Sequence, residues 1–214
     1  MSEDESPEGR RPLKSRQSPI FQKLATRMAQ AGVTPNTISF MSVAFGVAAG
    51  FAFAITAISP APMARVCFVL AAAFIQLRLV CNLIDGMVAI EHQRKSPAGD
   101  LWNEVPDRLS DVATIIGAGL AFGGHPSLGV TGAILALLTA YIRALGASLG
   151  AGQVFAGIGG KPQRMFLLTV TALTAAALLG PSTVTIGLIL VCLAATSTFV
   201  QRLLIIRNHL YANR

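Results

Sequence analysis

Residues 66–90 read VCFVLAAAFIQLRLVCNLIDGMVAI, and this stretch decides the fold. No charge precedes Arg78 in it, while Arg78, Asn82 and Asp85 crowd its second half. An apolar run of this length crosses a bilayer as a helix. An ionisable residue inside such a run is costly and is read first as functional.

The same signal repeats outward from this stretch. No charge lies between Arg27 and Arg65, so residues 38–58 read as the preceding span. The uncharged interval from Asp111 to Arg143 is broken by Gly123-Gly124-His125-Pro126, and the one from Arg164 to Arg202 by Gly180-Pro181-Ser182. Gly and Pro at such positions make turns, so each interval splits into two spans. The expectation is an all-α integral membrane protein with six transmembrane helices. Residues 19–31 (PIFQKLATRMAQA) precede them and place Ile20, Phe21, Leu24, Met28 and Ala29 on one helical face beside Lys23 and Arg27. That pattern predicts a short amphipathic helix, lying on the membrane surface or packed on the bundle. Residues 1–18 are polar and read as a disordered cytoplasmic tail; residues 19–210 read as a single domain with no internal repeat.

Composition supports this and excludes other classes. The chain is 53% hydrophobic and 13% charged, with a mean hydropathy of +0.60; a soluble domain carries about a quarter charged residues. A formal charge of +7 raises the question of nucleic acid, but the cations are too scattered and the aromatics, at 7%, too few. The cations instead report orientation. With the N-terminus inside, every Lys and Arg outside the spans falls on the inner side except Arg65. Both termini and the segment from about 91 to 105 are therefore expected in the cytoplasm, and the protein in the cell membrane. Cys67, Cys81 and Cys192 lie in apolar runs without paired spacing, which argues against disulfides and zinc.

The acidic residues point to chemistry. Beyond the tail they all fall between Asp85 and Asp111. Asn82, Asp85 and Ala89 follow i, i+3, i+7 spacing and share a helical face, with Gly86 leaving room for close approach. Asn103, Asp107 and Asp111 follow i, i+4, i+8 spacing and share another. A short connection lets the two faces oppose each other at the inner membrane boundary. Asp and Asn oxygens with no His or Cys favour Mg²⁺ or Mn²⁺, which proteins commonly share with substrate phosphates. Intramembrane ion pairs, Asp85 with Arg78 or Asp107 with Arg108 or Arg143, are the plainer alternative.

Asn82-Leu-Ile-Asp85-Gly86-Met-Val-Ala89, followed by Gly99, Asn103 and Asp107, resembles the signature of the CDP-alcohol phosphotransferases, D-x2-D-G-x2-A-R-x8-G-x3-D-x3-D. The spacing is matched without a gap. Asn82 and Asn103 replace two aspartates, and Ile90 replaces the arginine. Gly32-Val-Thr-Pro-Asn-Thr-Ile38 is similar to the segment leading into that family's first span. The resemblance implies a transferase of phospholipid biosynthesis. A CDP-alcohol such as CDP-diacylglycerol would give its phosphatidyl group to an acceptor alcohol, and CMP would leave. It further implies a site holding Mg²⁺ or Mn²⁺ through Asn82, Asp85, Asn103 and Asp107, with Asp111 as an additional ligand, and Asp107 as the general base. Gly86, Ala89 and Gly99 would line the cytidine diphosphate pocket, and Arg143, with Lys161 and Arg164, would suit an acceptor that is an alcohol phosphate. With two aspartates replaced, the signature has lost two negative charges, and one divalent ion is expected before the donor binds. A homodimer is one arrangement open to such a bundle. Two other function classes fit the polar cluster: a CDP-lipid-binding protein without catalysis, and a small cation- or proton-coupled transporter.

Overall fold

The computed structural model describes residues 18–91 and 99–212. The expected tail therefore lies outside the described residues except for Ser18. Among those described there is helix and no strand. The helices are α1 (Pro19–Gln30), α2 (Pro35–Ile55), α3 (Ala61–Glu91), α4 (Gly99–Gly119), α5 (Pro126–Ser148), α6 (Lys161–Leu178) and α7 (Thr183–Ala212), with one 3₁₀ turn at Thr56–Ile58.

Local chemistry sets the boundaries. Thr34 caps α2 by accepting the Thr37 N–H at 3.2 Å, and Pro35 opens the helix. Proline is suited to a first turn because its missing N–H would have no intrahelical partner there. Pro126 opens α5 after the expected Gly123–Pro126 turn. α6 stops at Leu178, and its carbonyls at Ala176 and Ala177 are taken by the Arg65 guanidinium at 2.8 and 2.7 Å. This cap occupies the one cation of the expected outer loops.

The helices pack as a bundle in which α2 meets both α3 and α4, α3 meets α6, and α5 meets α4 and α7. Glycine brings α2 and α4 into backbone contact. A Cβ on Gly46 would lie 2.6 Å from the Ser110 Cβ, and Gly50 and Gly117 meet main chain to main chain. Thr114 also donates to the Gly46 carbonyl at 3.1 Å. Small residues and hydroxyls of this kind hold helices together where the surroundings are themselves apolar. The contact also fixes how far α4 carries its acidic end toward α3.

Large apolar side chains such as Phe40, Phe51, Val130, Phe166, Ile186 and Leu193 are exposed around the outside. Four helices, α2, α3, α5 and α7, are long and apolar enough to cross a membrane. α4 and α6 fall short because they carry charge at their N-terminal ends. α1 packs on α3 through Ala25 and Ala29, in a cluster with Leu83, Ile84 and Met87, and leaves Ile20 and Leu24 outward. It is thus seated on the bundle and amphipathic at once.

Candidate active site

The C-terminal ends of α3, α5 and α7 and the N-terminal ends of α2, α4 and α6 come together, as alternation along the chain requires. The expected residues gather there. On α3, Asp85 is 3% exposed and accepts a 2.8 Å hydrogen bond from Ser39 Oγ of α2 at Oδ2. Its Oδ1 is buried without a partner. One turn earlier, Asn82 Oδ1 accepts from Ser42 Oγ at 2.8 Å, and its Nδ2 is buried without a partner. Ser39 and Ser42 thus repeat the spacing of Asp85 and Asn82 across the α2–α3 seam.

On α4, Asp107 Oδ1 lies 2.5 Å from Lys161 Nζ at the start of α6. Among the described residues, its Oδ2 has only Arg108 Nη2 nearby, at 3.7 Å. Asp111 departs from expectation. Both of its oxygens are engaged by arginine, Oδ1 by Arg78 Nη2 and Oδ2 by Arg164 Nη2, each at 2.6 Å, and all three residues are almost fully buried. Arg78 therefore pairs with Asp111 rather than with Asp85. Arg78 also donates to Met165 Sδ and to the Asp107 carbonyl. Arg164 donates to Thr139 Oγ1 and the Gly159 carbonyl. A buried ion pair persists only when its remaining hydrogen-bonding groups are also served, and these contacts serve most of them. Both Asp111 oxygens are thus occupied by arginines, which ties α3, α4 and α6 together at this end of the bundle.

Beside these residues opens a cavity of about 420 Å³. Asn82, Asp107 and Arg143 line it; Asp85, Gly86, Ala89 and Asp111 do not. Gly86 and Ala89 sit half-buried on α3 beyond Asp85. Gly99 and Asn103 belong to the backbone of α4, but the Asn103 side chain and the surroundings of Gly99 lie outside what is described. Among the described residues, five cationic side chains (Arg108, Arg143, Lys161, Arg164, Arg202) and two acidic ones (Glu104, Asp107) face this cavity. Arg143 reaches Glu104 Oε1 at 2.5 Å and lies over the Phe155 ring, 5.6 Å from its centroid. Phe21, Leu79, Val80, Leu83 and Ala140 make another part of the wall apolar.

Ser39, Ser42, Thr139, Phe155 and Arg202 are site residues that spacing arguments do not reach. Arg202 donates to the Thr139 and Ala156 carbonyls at 2.7 and 2.9 Å. The available signal was its place within the helical run TFVQRLLII, where an arginine needs a partner.

Among the described residues no group of three or more His, Cys, Asp or Glu could hold a metal unaided. The oxygen donors nevertheless fit one divalent cation completed by a ligand's phosphates. Asp85 Oδ1 is a buried carboxylate oxygen with nothing to bond. The Asn82 amide can be turned so that Nδ2 donates to Ser42 Oγ and the carbonyl oxygen is released. A hard oxygen set of this kind suits Mg²⁺ or Mn²⁺.

Scanned against protein-family models, the chain matches none. The archaetidylinositol phosphate synthase of Pyrococcus horikoshii is 24% identical over 184 residues, covering 85% of this chain and 88% of that protein. The inner membrane protein YnbA of Escherichia coli is 24% identical over 162 residues, 74% of this chain and 78% of that one. The phosphatidylinositol phosphate synthase of Mycobacterium tuberculosis with CDP-DAG bound superposes with a TM-score of 0.74 at 19% identity, over 88% of this chain and 94% of that one. The chain thus shares the fold of that synthase. The same synthase in complex with manganese and citrate gives a TM-score of 0.71 at 20% identity, over 87% of this chain and 88% of that one. The chain keeps this architecture, while Asn82 and Asn103 stand at two of the four aspartate positions of the signature it resembles.

Proposed function

We propose that this chain is a membrane-embedded transferase of phospholipid synthesis. It moves a phosphatidyl group from a CDP-alcohol such as CDP-diacylglycerol to an acceptor alcohol and releases CMP. The observation that carries this reading is the juxtaposition of Asn82, Asp107 and five cations around one cavity at the polar end of an apolar bundle. Relatives named as inositol phosphate lipid synthases, in sequence and in fold, support it.

Placement in the bilayer follows from the helices. At a rise of 1.5 Å per residue, the 31 residues of α3 extend about 46 Å, beyond the roughly 30 Å of hydrocarbon. Its last turns, with Asn82 and Asp85, then reach the headgroup level, where a lipid-linked diphosphate sits while its tails stay in the membrane. In this reading α4 and α6 also cross, which gives six spans with both termini in the cytoplasm. Their lower apolarity is the cost of carrying Asp107, Asp111, Lys161 and Arg164. Residues 19–210 then form one domain.

The residues divide the work. Asp85 and Asp107 would hold the Mg²⁺ or Mn²⁺, with Asn82 and, by its place in the signature, Asn103 as neutral ligands. When bound, the ion would supply positive charge to the donor diphosphate, because phosphoryl transfer depends on positioning and charge neutralisation. By their places in the signature, Gly86, Ala89 and Gly99 would border the cytidine diphosphate. Asp107 Oδ2, lacking a partner within hydrogen-bond reach, takes the acceptor hydroxyl proton. The acceptor oxygen bonds to the donor phosphorus, and the phosphorus–oxygen bond to CMP breaks with its electron pair leaving on CMP. The cavity's excess of cations suits an acceptor that itself carries a phosphate, with Arg143, Lys161 and Arg164 within its wall. The test is CMP release by the purified protein in detergent with CDP-diacylglycerol, Mg²⁺ and a panel of acceptors. Turnover supports the transferase. CDP-lipid binding without CMP would instead select a non-catalytic binding protein, and ion flux into liposomes without CMP a transporter.

A further inference from the structure

Lys161 differs from an ordinary anchoring lysine. Its side chain is 17% exposed, and its ammonium is the only cation within hydrogen-bond distance of the Asp107 carboxylate among the described residues, with Arg108 at 3.7 Å and Arg78 at 3.9 Å. The connection that delivers it is fixed by buried contacts. Gly159 N–H donates to Thr198 Oγ1 at 2.7 Å, and its carbonyl accepts from Arg164 at 2.7 Å. The Ala156 carbonyl accepts from Arg202 at 2.9 Å. Gly157, with φ +103°, and Gly159 press against Thr198 and the Ala194 main chain, where a Cβ would collide. The start of α6 is thereby set against α4. On α3, by contrast, no cation among the described residues is within ion-pair distance of Asp85: its side-chain partner there is the neutral Ser39, and Oδ1 has none.

We propose that Lys161 is the resident counter-cation of Asp107, and that it holds the site to a single divalent ion until a donor diphosphate arrives. The inference rests on the transferase reading. An ion coordinating Asp107 Oδ1 must displace the ammonium from it, whereas an ion at Asp85 Oδ1 displaces nothing. With Asn82 and Asn103 uncharged, two acids of the signature remain, and the lysine already neutralises one. Lys161 thus stands where a second cation would otherwise be needed. Arrival of the diphosphate supplies new negative charge and frees the ammonium to bind it.

The test is Mn²⁺ titration of the donor-free full-length protein, followed by paramagnetic resonance, for the wild type, Lys161→Met, Lys161→Arg and Asp85→Ala. The wild type should bind one ion, and Asp85→Ala should lose it. Lys161→Met keeps the buried stem and removes the charge; it should bind a second ion, or bind Mn²⁺ at least ~10-fold more tightly, as expected for removing a like charge beside a site. Lys161→Arg should match the wild type. Coincident curves for Lys161→Met and the wild type would overturn the proposal while leaving the transferase reading intact. Two tight ions in the wild type would also overturn it, and this outcome needs no variant to fold. A wild type with no Asp85-dependent Mn²⁺ would sink both readings.

Discussion

The α2–α3 seam and the α4–α6 seam meet at the same end of the bundle and treat buried acids in opposite ways. Across α4 and α6, Asp111 has an arginine on each oxygen and Asp107 a lysine on one. Across α2 and α3, the side-chain partners of Asp85 and Asn82 among the described residues are serine hydroxyls, and each leaves one polar atom without a partner there. A charge that is fully matched holds helices in register. A buried oxygen left without a partner is a standing cost, and its retention marks the place where something else binds. Read together, the two seams separate scaffold from working surface at one end of the molecule.

The largest effect should come from breaking the matched seam. Asp111→Asn removes the carboxylate that Arg164 pairs with and leaves Arg78 only the more distant Asp107 at 3.9 Å; breaking a buried pair in this way typically costs about 3–5 kcal/mol. Thermal unfolding in detergent should fall steeply, or the variant should fail to accumulate in membranes. A melting temperature near that of the wild type would mean that Asp111 is not the anchor described.

Next in size is Asp107→Asn. It keeps the shape and removes the base, so CMP release should drop by roughly 10²–10⁴-fold while the fold and CDP-lipid binding persist. Near-normal turnover would take the role from Asp107. Asp85→Asn sharpens the contrast from the other seam. Mn²⁺ affinity should fall at least ~10-fold, since one ligand charge is lost, but stability should be unchanged or raised, because a buried amide costs less than an unpaired carboxylate. Unfolding of Asp85→Asn to the extent expected for Asp111→Asn would erase the distinction between the seams. The smallest effect belongs to Ser42→Ala, which removes one neutral hydrogen bond to Asn82 and should cost about 1 kcal/mol on the same unfolding assay.

The two seams were not equally legible in the sequence. The helices were, because uncharged intervals and Gly-Pro turns are local signals: the breaks fall at Gly119–Pro126 and Leu178–Thr183, beside the turns expected. Of the six spans expected, four are long and apolar enough to cross a membrane; α4 and α6 are not, since the charges they carry dilute their apolarity. Asn82 with Asp85, and Asp107 with Asp111, could be placed on common faces by helical spacing alone. Which cation meets which acid could not. Arg78 lies seven residues before Asp85 but finds Asp111 on another helix, and Arg164 meets the same aspartate across 53 positions of chain. Such pairings depend on how α3, α4 and α6 rotate about their axes, which the α2–α4 glycine contact sets and no local pattern reports. The serines of α2 were invisible for the same reason.

The most direct measurement is product formation from CDP-diacylglycerol and Mg²⁺ with two acceptors that differ by one phosphate, an alcohol phosphate and its parent alcohol. The cation-rich cavity beside Asp107 should give phosphatidyl product and equimolar CMP with the alcohol phosphate, and little of either with the parent alcohol. Equal use of both acceptors, or no product from either, would contradict the assignment of this cavity as the acceptor site of a transferase.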